Sequence, residues 1–280
     1  MTGRGRWLTR VAVASALSTV PAGVSPADGP GRYASVNGLK MYYEVHGAGP
    51  PLVLLHGAFL TVDAWGKLLP ELARSRQVIA PELQGHGRTA DVDRPLSFRQ
   101  MAEDVAALLR EIKIEHADVY GYSMGGTVAL ALASRHPALV RKLIVQGSTY
   151  NKDGWEPEAF KQFSALPPDF APKPLKDPYD KVAPDPKHWP VLVAKLKELE
   201  LSFEGLPESD LKGITAPTLI IMGDREGLRP EQAVAMYRLI PKAQLAIVPG
   251  ADHFLPFTRP DVVLTLMTTF LQDPAPAPPS

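Results

Sequence analysis

Ser123 stands at the centre of Gly121-Tyr122-Ser123-Met124-Gly125, a G-x-S-x-G pentapeptide. The segment Ala117-Asp118-Val119-Tyr120 before it predicts a short buried strand, and the small-residue stretch 126–133 after it predicts a helix. Glycines on both sides leave room for a sharp strand-to-helix turn, which lifts the serine clear of both elements. Amide groups at the start of the helix can then bind an oxyanion. The spacing therefore predicts a nucleophilic serine for acyl transfer.

A serine hydroxyl needs a neighbouring base, and the base needs an acid that orients it. His253 is the candidate base because it follows the predicted strand 244–248, where catalytic groups of open α/β sheets gather. The preceding strand, 218–222, leads into a loop with two candidate acids, Asp224 and Glu226. Either acid gives the chain order serine, acid, histidine that is typical of this arrangement.

The elements that must position these residues alternate along the chain. Continuous apolar runs indicate strands that are buried on both faces, and amphipathic or capped stretches between them indicate helices. Asn37-Gly38 predicts an early hairpin, and Ser97-Phe98-Arg99-Gln100 resembles a capping box that opens a helix to about residue 112. We therefore predict an α/β fold with a mostly parallel sheet of about eight strands, helices on both faces and a helical lid after the sixth strand.

The segment 149–213 interrupts this alternation, since it is rich in proline, lysine and aromatic residues and contains no strand-like run. Two helices are predicted in it, 156–166 and 190–199. An insertion at the edge where strands end would cover the site as a lid. The predicted core then comprises residues 28–148 and 214–272, and the Pro/Ala-rich tail 273–280 is predicted to be disordered.

The chain resembles the α/β-hydrolase fold serine hydrolases, close to the small bacterial esterases, lactonases and perhydrolases. The resemblance covers about residues 33–271 and depends on five motifs. These are His56-Gly57, Gln84-Gly85-His86-Gly87-Arg88-Thr89, the serine turn, Gly223-Asp224-Arg225-Glu226, and His253.

The resemblance implies a role for several further residues. It places the acid three residues after Gly223, at Glu226, although the family more often has aspartate there; Asp224 remains the alternative. It also implies that the amides of Ala58 and Met124 form the oxyanion hole. Substrate contacts are expected from three aromatic residues, Phe59, Tyr122 and Trp155.

The expected activity is hydrolysis of a carboxylic ester or lactone of a small, apolar substrate through an acyl-enzyme on Ser123. Carbon–carbon bond hydrolysis and perhydrolysis use the same triad and stay open. A non-catalytic, ligand-binding member of the fold is a further alternative, because fold does not dictate function.

The amino-acid composition limits the classes of molecule that the chain is expected to bind. The 30 basic and 30 acidic residues cancel, which favours neither nucleic acid nor an anionic membrane surface as a partner. The chain has no cysteine, so disulfides and thiol nucleophiles are excluded. The seven histidines lack metal-ligand spacing, and neither a metal nor another cofactor is expected. The expected partner is a small-molecule ester substrate, and the composition indicates no particular oligomeric state.

The first 27 residues have the layout of a secretory signal peptide. Arg4, Arg6 and Arg10 precede an apolar run, 11–20, that is too short to span a membrane, and small residues follow up to Ala27. We expect a secreted or periplasmic protein whose mature chain has no membrane span. The alternative is a cytoplasmic protein with an alanine-rich extension.

Overall fold

The Asn37-Gly38 pair forms the predicted tight turn, since both residues have positive φ, 48° and 78°. The computed structural model describes residues 31–272. The turn joins the first two strands of an eight-stranded sheet with the order β1-β2-β4-β3-β5-β6-β7-β8. The strands are β1 (Arg32–Val36), β2 (Leu39–His46), β3 (Pro51–Leu55), β4 (Gln77–Pro81), β5 (Ala117–Tyr122), β6 (Val140–Gln146), β7 (Thr218–Gly223) and β8 (Ala243–Val248).

The pairings β1–β2 and β2–β4 are antiparallel, and the remaining strand pairs are parallel. The carboxyl ends of β3 to β8 therefore lie along one edge. The predicted signal peptide, residues 1–27, and the predicted tail, residues 273–280, lie outside the described residues.

Ten α-helices accompany the sheet in the described part of the chain. They are α1 (Leu68–Ala73), α2 (Phe98–Glu111), α3 (Met124–Arg135), α4 (Pro157–Ser164), α5 (Lys173–Val182), α6 (Trp189–Leu201), α7 (Glu208–Lys212), α8 (Pro230–Leu239), α9 (Leu255–Thr258) and α10 (Pro260–Gln272). Ser97 caps α2 as its sequence predicts, accepting the Gln100 amide at 3.4 Å. None of these helices has the length and hydropathy needed to span a membrane.

The core is divided by the sheet into two layers. Val53 and Leu55 belong to one buried cluster, while Leu52 and Leu54 belong to the other. Because successive strand residues point to opposite faces, the two clusters lie on opposite sides of the sheet. Side chains of α2, α3 and α8 complete the first cluster, and side chains of α1 and α10 complete the second. The apolar runs that form β3 to β7 are thus largely covered on both faces. The run 244–248 was predicted to be covered in the same way, but it forms the edge strand β8, which is only half-buried and exposes Ile247.

Four helices, α4 to α7, lie in the insertion between β6 and β7. Helices α4 and α6 are the two that the sequence predicts, with slightly different ends, whereas α5 and α7 were not predicted. Helix α5 contains Pro178, which normally weakens a helix interior. Its neighbour Tyr179 is buried with its ring centroid 5.0 Å from that of Trp189. Tertiary packing therefore outweighs the local preference.

Helix α6 is anchored to the core through Asp91. The Asp91 carboxylate lies 2.6 Å from the Lys195 ammonium and 2.9 Å from Nε2 of His188. Lys195 also donates to the main-chain carbonyls of Val92 and Arg94. These bonds fix the helix over the loop that follows β4.

Candidate active site

The turn at Ser123 has the strained backbone that a nucleophile elbow requires. Ser123 has φ 54° and ψ −123°, a conformation that non-glycine residues rarely adopt. A Cβ atom on Gly121 would lie 2.2 Å from the carbonyl oxygen of Gly125, and one on Gly125 would lie 2.2 Å from that of Leu55. Both flanking positions therefore require glycine, and the serine stands at the carboxyl end of β5.

A continuous hydrogen-bonded chain leads from Ser123 to a buried carboxylate. The Oγ atom of Ser123 lies 3.0 Å from Nε2 of His253, and Nδ1 of the same ring lies 3.0 Å from Oε2 of Glu226. The side chain of Glu226 is 1% exposed and that of His253 is 11% exposed. The amide of Gly223 donates to Oε1 of Glu226 at 2.9 Å, so both carboxylate oxygens have partners.

Asp224, the alternative acid, has a different contact. It is exposed, and its Oδ1 accepts the amide of Gly250 at 2.7 Å. The bond joins the loop after β7 to the loop after β8, which is a turn-stabilising role. The structure therefore brings Glu226, and not Asp224, to the imidazole.

Tyr122 supports the histidine loop. Its side chain is buried, and its hydroxyl donates to the main-chain oxygen of His253 at 2.8 Å. Burial, and then the nearby Glu226 carboxylate, raise the pKa of Tyr122 well above its ordinary value, so the phenol stays protonated and remains a donor. The predicted substrate contact of Tyr122 stays a prediction.

Two backbone amides are available beside the serine. Met124 is the first residue of α3, and Ala58 lies in the loop after β3. Neither amide donates to another group in residues 31–272. A Cβ atom on the adjacent Gly57 would lie 3.1 Å from Cβ of Ser123, so this loop closely approaches the nucleophile. The two donors thus border the place where an oxyanion would form.

The other two predicted contact residues lie in aromatic clusters. Phe59 is buried with φ 66°, and its ring centroid lies 5.8 Å from that of Phe170 and 5.4 Å from that of Trp189. Trp155 is half-buried against Phe160 and Phe163. The Phe59 contacts therefore join the insertion to the site, whereas these Trp155 contacts lie within the insertion. Substrate contact by either residue stays a prediction.

Two residues next to the triad were not predicted from the sequence. Gly147 follows β6 with φ 56°, and a Cβ atom there would lie 3.1 Å from Oε2 of Glu226 and 3.3 Å from Nδ1 of His253. Glu200, in α6, is close enough for the charge of His253 to affect its pKa. No local motif marks Glu200, because its neighbours at the site are distant in sequence.

The two remaining motif histidines are buried and neutral. His56 donates through Nδ1 to the carbonyl of Gly57 at 2.8 Å and accepts the Leu83 amide through Nε2 at 3.0 Å. Burial lowers the pKa of His56 to about 3 and that of His86 to about 4. Their hydrogen bonds hold the loops after β3 and β4.

Within residues 31–272, no group of three or more histidine, cysteine, aspartate or glutamate side chains is arranged to hold a metal ion. The chemistry that the arrangement can perform is proton transfer and nucleophilic attack by Ser123 beside two amide donors.

Known proteins are similar to this chain in sequence. A family model described as the alpha/beta hydrolase family matches residues 52–266. The 2-hydroxymuconate semialdehyde hydrolase of a Pseudomonas species is 39% identical over 122 residues, which are 42% of this chain and 43% of that protein. The pimeloyl-[acyl-carrier protein] methyl ester esterase of Nitrosospira multiformis is 26% identical over 271 residues, covering 83% of this chain and 98% of the esterase.

The fold is also found in solved structures. The enol-lactonase from Burkholderia xenovorans superposes with a TM-score of 0.69 at 22% identity, covering 86% of this chain and 100% of the lactonase. The order of strands in the sheet and the turn at Ser123 are consistent with the family match over residues 52–266. The chain belongs to the alpha/beta hydrolase family.

Proposed function

We propose that the protein is a serine hydrolase that cleaves a carboxylic ester or lactone of a small, apolar substrate. The observation that carries the proposal is the unbroken hydrogen-bonded chain from Glu226 through His253 to Ser123. Such a chain activates a serine hydroxyl, which is a weak nucleophile at neutral pH.

Acylation follows from the geometry. The Oγ atom of Ser123 attacks the acyl carbon while Nε2 of His253 takes the hydroxyl proton. Glu226 holds the ring through Nδ1 and stabilises the imidazolium that forms. The carbonyl oxygen becomes an oxyanion beside the amides of Ala58 and Met124. Collapse of the intermediate expels the alkoxide, which receives the proton from His253 and leaves the acyl group on Ser123.

Deacylation repeats these roles with water. His253 removes a proton from the water as the oxygen attacks the acyl-enzyme, and the same amides bind the second oxyanion. The ester bond to Ser123 then breaks, and the serine receives a proton from His253. The original serine proton has left with the alcohol and a proton from water replaces it, so the enzyme is restored and the net reaction consumes one water.

The esterase from Nitrosospira multiformis supports this reading, because the similarity extends over 83% of the chain. A second candidate is carbon–carbon bond hydrolysis, which 39% identity over 122 residues to the 2-hydroxymuconate semialdehyde hydrolase favours. Both reactions use a serine, a histidine and an acid, so the triad alone does not separate them.

Hydrolysis of a p-nitrophenyl ester series, from acetate to decanoate, tests the proposal with the full chain. Ser123→Ala is expected to abolish turnover, and Glu226→Gln to lower kcat by about a thousandfold, because the imidazole then loses its charged partner. Asp224→Asn is the matched control and is expected to retain kcat within about threefold.

The outcomes separate the candidates. Ester turnover that depends on Ser123 supports the esterase. Turnover of a 2-hydroxy-6-oxo-dienoate without turnover of any ester would replace it with the carbon–carbon hydrolase. Peracid formation from acetate and hydrogen peroxide would identify a perhydrolase. Binding of these compounds without any turnover would favour the ligand-binding alternative.

A further inference from the structure

A second carboxylate lies near the catalytic histidine, and the proposed mechanism does not use it. Glu200 is the penultimate residue of α6. Its carboxylate accepts a hydrogen bond from the indole of Trp155 and lies within electrostatic reach of His253. The hydrogen bond and the charge effect place the acidic group in the part of the insertion that lies nearest the catalytic histidine.

The position of Trp155 is fixed by main-chain pairing with the acid loop. Trp155 and Leu228 form an antiparallel β-bridge. On either side of it, the amide of Glu156 donates to the carbonyl of Gly227 at 2.9 Å, and the amide of Arg229 donates to the carbonyl of Gly154 at 2.8 Å. Because Gly227 directly follows Glu226, the indole that orients Glu200 is held to the same loop as the triad acid.

Among residues 31–272, no lysine or arginine forms an ion pair with the Glu200 carboxylate, and the positive charge that acts on it is that of His253. Burial raises its pKa to about 7, although the indole hydrogen bond and the charge of His253 lower it. A desolvated carboxylate without a lysine or arginine partner is unfavourable for folding, and such groups gather at functional sites.

The position of Glu200 predicts which charge a substrate can carry when it binds beside His253. A substrate with a carboxylate near its scissile carbonyl would bring two negative charges together in a poorly solvated place, which disfavours binding. A neutral substrate with an N–H or O–H group there would instead donate a hydrogen bond to the Glu200 carboxylate.

We propose that Glu200, oriented by Trp155, determines specificity by rejecting anionic substrates and selecting neutral esters or lactones that carry a hydrogen-bond donor. This inference rests on the proposed esterase function and deepens it, because it places one hydrogen-bond donor on an otherwise apolar, uncharged substrate. It also predicts a substrate of different charge from that of the relative named for 2-hydroxymuconate semialdehyde, because muconate is a carboxylate.

Two matched esters test the selection. Mono-p-nitrophenyl glutarate has an anionic end, and its primary amide has a neutral, donating end of nearly the same shape. At pH 8 the wild-type protein is expected to prefer the amide in kcat/KM by about tenfold or more. Glu200→Gln keeps an acceptor for the indole and is expected to raise kcat/KM for the glutarate by about tenfold, mainly through KM.

Glu198→Gln is the control, because it removes an exposed carboxylate from the same helix. It is expected to leave the ratio of the two substrates unchanged. Trp155→Phe keeps the aromatic packing but removes the indole donor, and it is expected to lower the ratio. A ratio that Glu200→Gln leaves within about twofold of wild type, in folded protein, would overturn the assignment.

A binding measurement keeps this test separate from the proposed function. The p-nitroanilides of the same two acyl groups are titrated calorimetrically into Ser123→Ala protein, with and without Glu200→Gln. Preference for the neutral anilide that Glu200→Gln removes supports the role of Glu200 even if no ester is hydrolysed. Equal or undetectable binding of the two anilides, without ester selection, overturns it.

Discussion

Glu226 and Asp224 are two residues apart in one loop, and only Glu226 reaches His253. Oε2 of Glu226 lies 3.0 Å from Nδ1 of the imidazole, whereas Oδ1 of Asp224 accepts the Gly250 amide at 2.7 Å. The longer side chain suits the site, because its other oxygen also accepts the amide of Gly223. The extra methylene thus accommodates both bonds.

Shortening the acid should therefore weaken catalysis without abolishing it. Glu226→Asp is expected to lower kcat on p-nitrophenyl butyrate by about tenfold, because the carboxylate can no longer reach Nδ1 and the Gly223 amide together. Glu226→Gln should be at least tenfold worse than Glu226→Asp. Equal activity of Glu226→Asp and wild type would show that the two bonds are not both needed.

Gly147 should tolerate no side chain, because it packs against the acid and the histidine. The Cβ atom of Gly147→Ala would lie 3.1 Å from Oε2 of Glu226 at a φ of 56°. We expect kcat to fall by about tenfold and the free energy of unfolding to fall by about 1 kcal/mol or more. Gly38→Ala is the matched control, since φ is 78° there and nothing lies within 4 Å of its Cβ. That variant should lose similar stability and keep full activity.

Removal of the Tyr122 hydroxyl should affect turnover as well as stability. Tyr122→Phe loses the 2.8 Å bond to the main-chain oxygen of His253, which is expected to lower the free energy of unfolding by about 1 kcal/mol. We also expect kcat to fall by about three- to tenfold, because the histidine loop becomes less fixed. Tyr120→Phe loses a buried bond to Gln146 instead, and it should destabilise the fold while sparing kcat. Denaturant titration and ester assays on both variants check this.

His86 should make the fold sensitive to acid. The folded protein holds His86 neutral, with its pKa lowered by burial from 6.5 to about 4, so between these values the unfolded chain binds the additional proton. Stability is therefore lost as the pH falls from 6.5 toward 4. His86→Asn keeps a donor for the carbonyl of Gln84, which Nδ1 contacts at 3.0 Å, but cannot be protonated.

The measurement is the difference in unfolding free energy between wild type and His86→Asn across this range. We expect the wild type to lose about 3 kcal/mol relative to the variant. Glu82 has its pKa raised to about 7 by burial, which acts in the opposite direction, but Glu82 is present in both proteins and cancels in the difference. A difference that does not change with pH would contradict the neutral assignment.

The sequence predicted the elements whose signals are local. The serine elbow, the Asn37-Gly38 turn and the Ser97 cap each depend on a few adjacent residues, and the structure places all three as expected. Helix α5 was missed because Pro178 normally disfavours a helix, while burial of the adjacent Tyr179 stabilises it.

The residues of the candidate site also differ in whether a local sequence signal marks them. Ser123, His253 and Glu226 each follow a strand that could be recognised from its own residues, so their meeting could be expected. The Glu200–Trp155 contact could not, because it joins two parts of the insertion through packing that no periodic pattern encodes. The signal peptide, the division into core and insertion, and export stay predictions.

The β-bridge between Trp155 and Leu228 has a consequence for engineering. The insertion is not an interchangeable module that could be exchanged at the ends of β6 and β7. A graft from a relative would have to reproduce the main-chain pairing of residues 154–156 with residues 227–229, or the loop that carries Glu226 would lose its support. Chimaeras of this fold should therefore be joined after residue 156, so that the recipient keeps its own bridge while acquiring a new pocket.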